Sequence, residues 1–208
     1  MNQKLKTRTL WILVICLLMT GCSGAPTSSA AANAAPASDA AASQAGGLSE
    51  PIAELPALIV SAGQSADFEM IKVMFDQNQM AYTAAALASK EDFGDNKTLV
   101  VAIGGSSKGL GAAGIDADVE LERVKKLLAA AKENKMTIIA AHIGGDGRRG
   151  KLGDRYIEPC VLAADYVIVV ESGNADGLFT KLTSENHIPM DVISNMTDAV
   201  PLVAAAFK

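Results

Sequence analysis

Three cysteines, Cys16, Cys22 and Cys160, are too few to build a disulfide scaffold in a chain of 208 residues. Two histidines, His142 and His187, with no His/Cys pair at ligand spacing, give no zinc signature, and no metal is expected. Aromatic residues make up 4% of the chain and the single tryptophan, Trp11, lies near its start. Basic charge is also scarce: 18 Lys+Arg stand against 23 Asp+Glu, a net −5, so nucleic acid is not an expected partner. The most apolar run, Leu10 to Met19, falls short of the roughly 20 residues that span a bilayer. No Gly-Lys-Ser/Thr stands at the spacing of a P-loop. What remains is half apolar, which excludes disorder of the whole chain, and long enough for one domain with appendages.

The start of the chain carries an address. Lys4, Lys6 and Arg8 precede the apolar run, and Leu18-Met19-Thr20-Gly21-Cys22 follows. This arrangement resembles the bacterial lipoprotein signal, with Met19 where Leu is commoner. The resemblance implies removal of residues 1–21 and acylation of Cys22, palmitate included. The alternative is an ordinary secretory signal cleaved elsewhere. Residues 22–49 are rich in Ala, Ser, Pro and Gly with little charge, a composition that cannot order itself and suits a flexible tether. The expected partner of this region is a cell membrane, reached through two acyl chains from its extracytoplasmic face. Cleavage lowers Lys+Arg from 18 to 15 against 23 acids, and it removes Trp11 and Cys16, so no internal disulfide is possible in the mature chain.

Residues 50–208 alternate short apolar runs with helical periods. Strands are expected at Ala57–Ser61, Ala81–Leu87, Thr98–Ile103, Met136–Ile143, Tyr166–Val170 and Met190–Ile193. A helix capped by Ser65 carries Met70, Ile71, Met74 and Phe75 on its apolar face. Asp116 to Lys135 forms the clearest helix, with a stripe of Val119, Val124, Leu127, Leu128 and Ala131 and acids in its first turn. Helices are also expected at Asp154–Ala164, disturbed by Pro159, at Asp176–Asn186 and at Thr197–Phe207. The pattern predicts an α/β fold: a doubly wound, three-layer parallel sheet, flavodoxin-like or Rossmann-like, of order about 2-1-3-4-5 with a possible sixth strand. Its ligand crevice lies outside the C-terminal strand ends, between the first and third strands.

Glycine and polar chemistry collect at those ends. After the first, third, fourth and fifth strands come Ser61-Ala-Gly-Gln-Ser-Ala-Asp67, Gly104 to Gly114, Gly144 to Gly150, and Glu171 to Gly177. Two of these echo each other at an offset of 40: Ala102-Ile-Gly-Gly-Ser-Ser-Lys108 and His142-Ile-Gly-Gly-Asp-Gly-Arg148. Neighbouring turns with Gly-Gly and a following cation suit an anion, with backbone donation from Gly104, Gly105, Gly144 and Gly145 and charge from Lys108 and Arg148. Gln64, Ser65, Ser106 and Ser107 would orient the ligand, with His142 and Glu171 beside them. Gly109-Leu-Gly-Ala-Ala-Gly114 matches G-x-G-x-x-G, but it starts six residues past Ile103 and no acid ends the next strand, so no nucleotide cofactor is expected. Gly105-Ser-Ser-Lys-Gly109 matches the nucleophile elbow G-x-S-x-G, although the clear helix begins only near Asp116. Asp67 and Asp176 read as acids that open helices, and Cys160 as a small buried residue.

Ser61 to Asp67, Ile103 to Asp116, His142-Ile-Gly-Gly-(x)3-Arg-Gly150 and Asp176-Gly-Leu-Phe-Thr-Lys181 together resemble an uncharacterised bacterial family of exported domains, over about residues 55–208. The resemblance implies an exported α/β domain and brings no activity with it. The leading functional expectation is a lipid-anchored extracytoplasmic module that binds a small, anionic ligand. The alternatives are a serine-type hydrolase using Ser107 or Ser106 with His142 and Asp146, and an envelope assembly or signalling partner.

Overall fold

A computed structural model describes residues 47–208, and the expected signal peptide, Cys22 and most of the expected tether lie outside them. Six parallel strands form one sheet: β1 (Ala57–Ala62), β2 (Tyr82–Ala84), β3 (Thr98–Ile103), β4 (Thr137–His142), β5 (Tyr166–Val170) and β6 (Met190–Ile193), in the order β2-β1-β3-β4-β5-β6. The sixth strand is therefore present and extends the expected order at the β5 edge. Alternate residues of each strand feed opposite layers, as the period of two requires. Leu58, Val60, Leu99, Val101, Ile138 and Val167 pack with α3 (Ala117–Glu133), α4 (Ile157–Ala163) and α5 (Leu178–Glu185). Ile59, Val100, Ile139 and Ile168 pack with α1 (Asp67–Gln77) and α6 (Ala199–Ala205). A sheet buried on both sides explains why β1, β3 and β5 are continuous apolar runs rather than alternating ones.

Several expectations change in detail. The Ala81–Leu87 strand shrinks to three residues, because it is a sheet edge with Thr83 and Ala84 exposed. Met70 and Val119 leave their apolar stripes and stand 39% and 54% exposed, while Phe68 and Glu120 turn inward. Ser65 is not the N-cap of α1; Ala66 is, and the Ser65 hydroxyl accepts the Asp67 N–H at 3.3 Å. Pro159 does not break its helix, because it falls in the first turn of α4, where its missing N–H costs nothing. The largest change is at Gly104–Gly114. Instead of a long loop, Ser107–Ala113 forms a further helix, α2, capped by the Ser106 side chain and ended by Gly114 at φ 69°.

The ends of the domain meet at the N-terminal pole of the sheet. Ala53 bridges Phe207 in parallel, and the Lys208 N–H donates to the Ala53 carbonyl at 3.0 Å. Leu48 and Ile52 pack on the adjoining layer.

Candidate functional site at the C-terminal strand ends

β1 and β3 are paired from Ala57↔Thr98 to Ala62↔Ile103, and β3 and β4 from Thr98↔Thr137 to Ala102↔Ala141. Their C-terminal turns are therefore neighbours, as the echo at offset 40 requires. α1 rises from the β1 turn and places Asp67 between the other two turns. A Cβ on Gly104 would stand 2.6 Å from Ser65 Oγ and 2.9 Å from Asp67 Oδ2, and one on Gly144 would stand 2.5 Å from the same Oδ2. The two Gly-Gly steps thus exist in part to admit a carboxylate.

That carboxylate is buried, with 4% of its side chain exposed, and Oδ1 accepts the Arg148 Nε at 3.1 Å. Oδ2 is buried without a hydrogen-bond partner among the described residues. Arg148 belongs to a 3-10 turn, Gly145–Arg148, and its Cγ lies against Gly144. Only its Nε bonds to protein among the described residues, and 31% of the side chain is exposed. Arg148 is therefore a surface cation already half committed to an internal acid.

The other proposed residues divide in the same way. The Gly104 N–H is taken by the Ala62 carbonyl at 3.0 Å, which corrects its expected role as a ligand donor. The N–H groups of Gly144 and Gly145 have no hydrogen-bond partner among the described residues. Gly105 lies against the backbone of Gly153, so the loop after β4 folds across the β3 turn. Gln64, held at φ 59°, spends its amide on the Ala86 carbonyl and on Glu120, and does not orient a ligand. Ser106 caps α2 by accepting the Gly109 N–H at 3.0 Å. Ser107 and Lys108 are exposed at the start of α2, and Glu171 is exposed at the end of β5. A cleft of about 500 Å³ opens between Ser107 and the segment carrying Lys151, Leu152 and Arg155. Arg155 also pairs with Asp118. Lys151 and Arg155 were not among the expected site residues, since nothing in their spacing places them beside the β3 turn.

Arg149 is not part of an open cationic cluster. It bonds Asp154, Asp176 and the Gly173 carbonyl, and its guanidinium lies over the Phe179 ring. It clamps the loops after β4 and β5 together and holds the Asp176 carboxyl at about 2. A second clamp went unrecognised in the sequence. Glu120, fully buried, accepts the Gly63 N–H and the Gln64 amide on Oε1, each at 2.9 Å, and Arg123 binds both of its oxygens. Arg123 continues to the carbonyls of Ser61 and Ala88. Glu120 shares a helical stripe with Val124, Leu127 and Ala131, and an acid at such a position was the available signal.

The hydrolase alternative gains one requirement and loses another. α2 starts at Ser107 directly after the turn, so the strand–turn–helix of an elbow is present. The base is not. His142 is fully buried, with Nδ1 3.1 Å from the Ile103 carbonyl and Nε2 3.1 Å from that of Gly145. Its ring packs on Phe179, and Asp146 turns its carboxylate to the Gly147 N–H instead. No ring nitrogen is left for a serine.

Burial pushes the His142 imidazole below its ordinary value, against the smaller opposing pull of the two carbonyls. An unfolded histidine titrates near about 6.5, so below that pH the unfolded chain takes up a proton that the folded chain does not. Stability then falls as pH drops from about 6.5 toward the folded pKa. Thermal denaturation at about pH 7 and pH 5 is expected to show a steeper loss for wild type than for His142→Gln. Parallel losses would contradict it.

Among solved structures, the chain is similar to a GDSL-like lipase from Bacteroides thetaiotaomicron VPI-5482, at 13% identity over 70% of this chain and 72% of that one, with a TM-score of 0.31. It is also similar to the psychrotrophic esterase EstA from Pseudoalteromonas sp., at 8% identity over 71% and 91%, with a TM-score of 0.30. At these scores the likeness decides nothing about chemistry. No curated protein matches. Residues 54–207 do match a family model over nearly the whole described region, and the chain belongs to the family described as Domain of unknown function (DUF6305).

Proposed function

We propose that this chain is an extracytoplasmic, lipid-anchored module that binds a small anionic ligand at the turns after β3 and β4. The observation that carries the reading is the β4 turn. There the N–H groups of Gly144 and Gly145 lack hydrogen-bond partners among the described residues, next to a guanidinium that gives only Nε to the protein. Backbone N–H groups beside a cation favour negative charge. Lys108 on the neighbouring turn and Lys151 and Arg155 along the cleft add positive charge to a chain that is acidic overall.

The test is a calorimetric titration with inorganic phosphate. Each charge-assisted bond is worth about 1.5–3 kcal/mol, so Lys108→Ala and Arg148→Ala are each expected to weaken binding roughly 10- to 100-fold. The two effects are expected to be non-additive in the double variant if both residues touch one anion. Arg148→Ala is also expected to melt lower than Lys108→Ala, because it leaves Asp67 buried without its partner. Equal affinity in all four proteins removes the anion site.

The anchor rests on the Leu18–Cys22 segment. Cys22→Ser is expected to block acylation and leave the precursor uncleaved, read by mass spectrometry of the membrane fraction. An acylated product from that variant would overturn the assignment.

A further inference from the structure

Only two aspartates in the chain are followed by glycine, in Asp146-Gly147 and Asp176-Gly177. A glycine nitrogen has no side chain beside it, so it can close a five-membered ring on the carboxyl carbon of the residue before it. The structure treats the two pairs in opposite ways. The Asp176 carboxylate takes both terminal nitrogens of Arg149, at 3.0 and 2.7 Å, and the Leu178 N–H at 3.2 Å. The Gly177 N–H is held by the Asn174 carbonyl at 2.9 Å. Asp146 and Gly147 are both exposed, in the 3-10 turn after β4. No cation holds the Asp146 carboxylate among the described residues: Arg148 goes to Asp67, and Arg149 to Asp154 and Asp176. Asp146 Oδ1 instead accepts the Gly147 N–H itself at 3.0 Å, which brings the nitrogen and the carboxyl into contact.

We infer that Asp146 is a site of spontaneous isomerisation to a β-linked aspartate. The turn is closed at its end by the Arg149 N–H on the Asp146 carbonyl at 3.0 Å, and so exposed a turn opens locally at little cost. Gly147 has space to move, since even a Cβ there would meet nothing within 4 Å. On opening, the Gly147 nitrogen attacks Cγ of the protonated Asp146 carboxyl. The N–Cγ bond forms, the Cγ–OH bond breaks, and one water leaves with the amide proton, giving a cyclic imide. Water then adds to the former main-chain carbonyl carbon and breaks its bond to nitrogen. The chain now runs through Cβ and Cγ, one carbon longer, with a free α-carboxylate and no change of mass. The added carbon lies inside the turn that carries Gly145 and Arg148. No ligand takes part, so the inference is independent of the reading above.

The test keeps the full chain warm in detergent at neutral pH for some weeks, with and without guanidinium chloride, and then maps its tryptic peptides. Met136–Arg148 carries Asp146, and Tyr156–Lys181 carries Asp176. From folded protein, the first is expected to divide into two peaks of equal mass. The new peak is expected to resist a protease that cuts before aspartate and to accept a methyl group from an isoaspartyl methyltransferase. The Asp176 peptide is expected to convert about tenfold or more slowly, since a carboxyl held at about 2 is protonated roughly a hundredth as often as one at about 3.9. In denaturant the Arg149 clamp is gone, and the two peptides are expected to convert alike. Gly147→Ala, which the open space admits, is expected to slow conversion at Asp146 and leave Asp176 unchanged. An Asp146 peptide that stays single in folded protein, or the same ratio of the two conversions with and without denaturant, overturns the inference.

Discussion

Replacing Glu120 by alanine is expected to be among the most destabilising single changes in this protein. The carboxylate is fully buried and takes four hydrogen bonds, from the Gly63 backbone, the Gln64 amide and two Arg123 nitrogens. Removing it strands Arg123, whose side chain is 16% exposed, and frees the β1 turn at Gly63 and Gln64, both held at positive φ. Breaking a buried pair by deleting one partner costs about 3–5 kcal/mol. In a domain of this size that lowers Tm by roughly 10 °C or more. Glu122, two residues along the same helix, is the control: it pairs with Lys125 in solvent, with side chains 60% and 51% exposed. Glu122→Ala is expected to change stability by less than about 0.5 kcal/mol. Calorimetry of the two variants checks the contrast, and equal melting temperatures would refute it.

A second pair of substitutions is expected to act in opposite directions within one helix. A Cβ on Gly109 would overlap the backbone carbonyl oxygen of Gln64, whereas one on Gly111 would meet nothing within 4 Å. Neither turn can retreat cheaply, since the β1 turn is pinned by Glu120 and α2 by its Ser106 cap. Gly109→Ala is expected to cost about 1–3 kcal/mol through overpacking. Gly111→Ala is expected to add roughly 0.5–1 kcal/mol by raising helix propensity. Chemical denaturation of both gives the signs. The same contacts explain the G-x-G-x-x-G match. Gly109 allows close packing, Gly111 is filler, and Gly114 ends the helix in the left-handed region. None of the three needs a pyrophosphate.

The strands were readable because burial on both sides writes them as unbroken apolar runs, and the crossover helices between them fix a parallel sheet. Helix α2 was not, because glycines at 109 and 111 depress helix propensity and its main support is a side-chain cap. The pairing of the β3 and β4 turns followed from the repeated Gly-Gly, whereas the cleft beside them lies between Ser107 and the Lys151–Arg155 segment and not between β1 and β3. The partners at those turns did not follow. Asp67 opens α1, as its position suggested, but it meets an arginine 81 residues away, and no local pattern carries that distance. Gln64 looked available to a ligand because sequence shows which groups can bond and not which are already bonded. Glu120 is the exception, since an acid on an apolar stripe announces a partner.

The meeting of Ala53 with Phe207 has a practical side. Both ends of the domain leave from the N-terminal pole of the sheet, a six-residue strand away from the turns after β3 and β4. A sensor chip or a fluorescent fusion joined directly at Leu48 or Lys208 therefore attaches at the pole opposite those turns. Immobilised through either end of residues 47–208, the domain keeps the turns after β3 and β4 open to a solute.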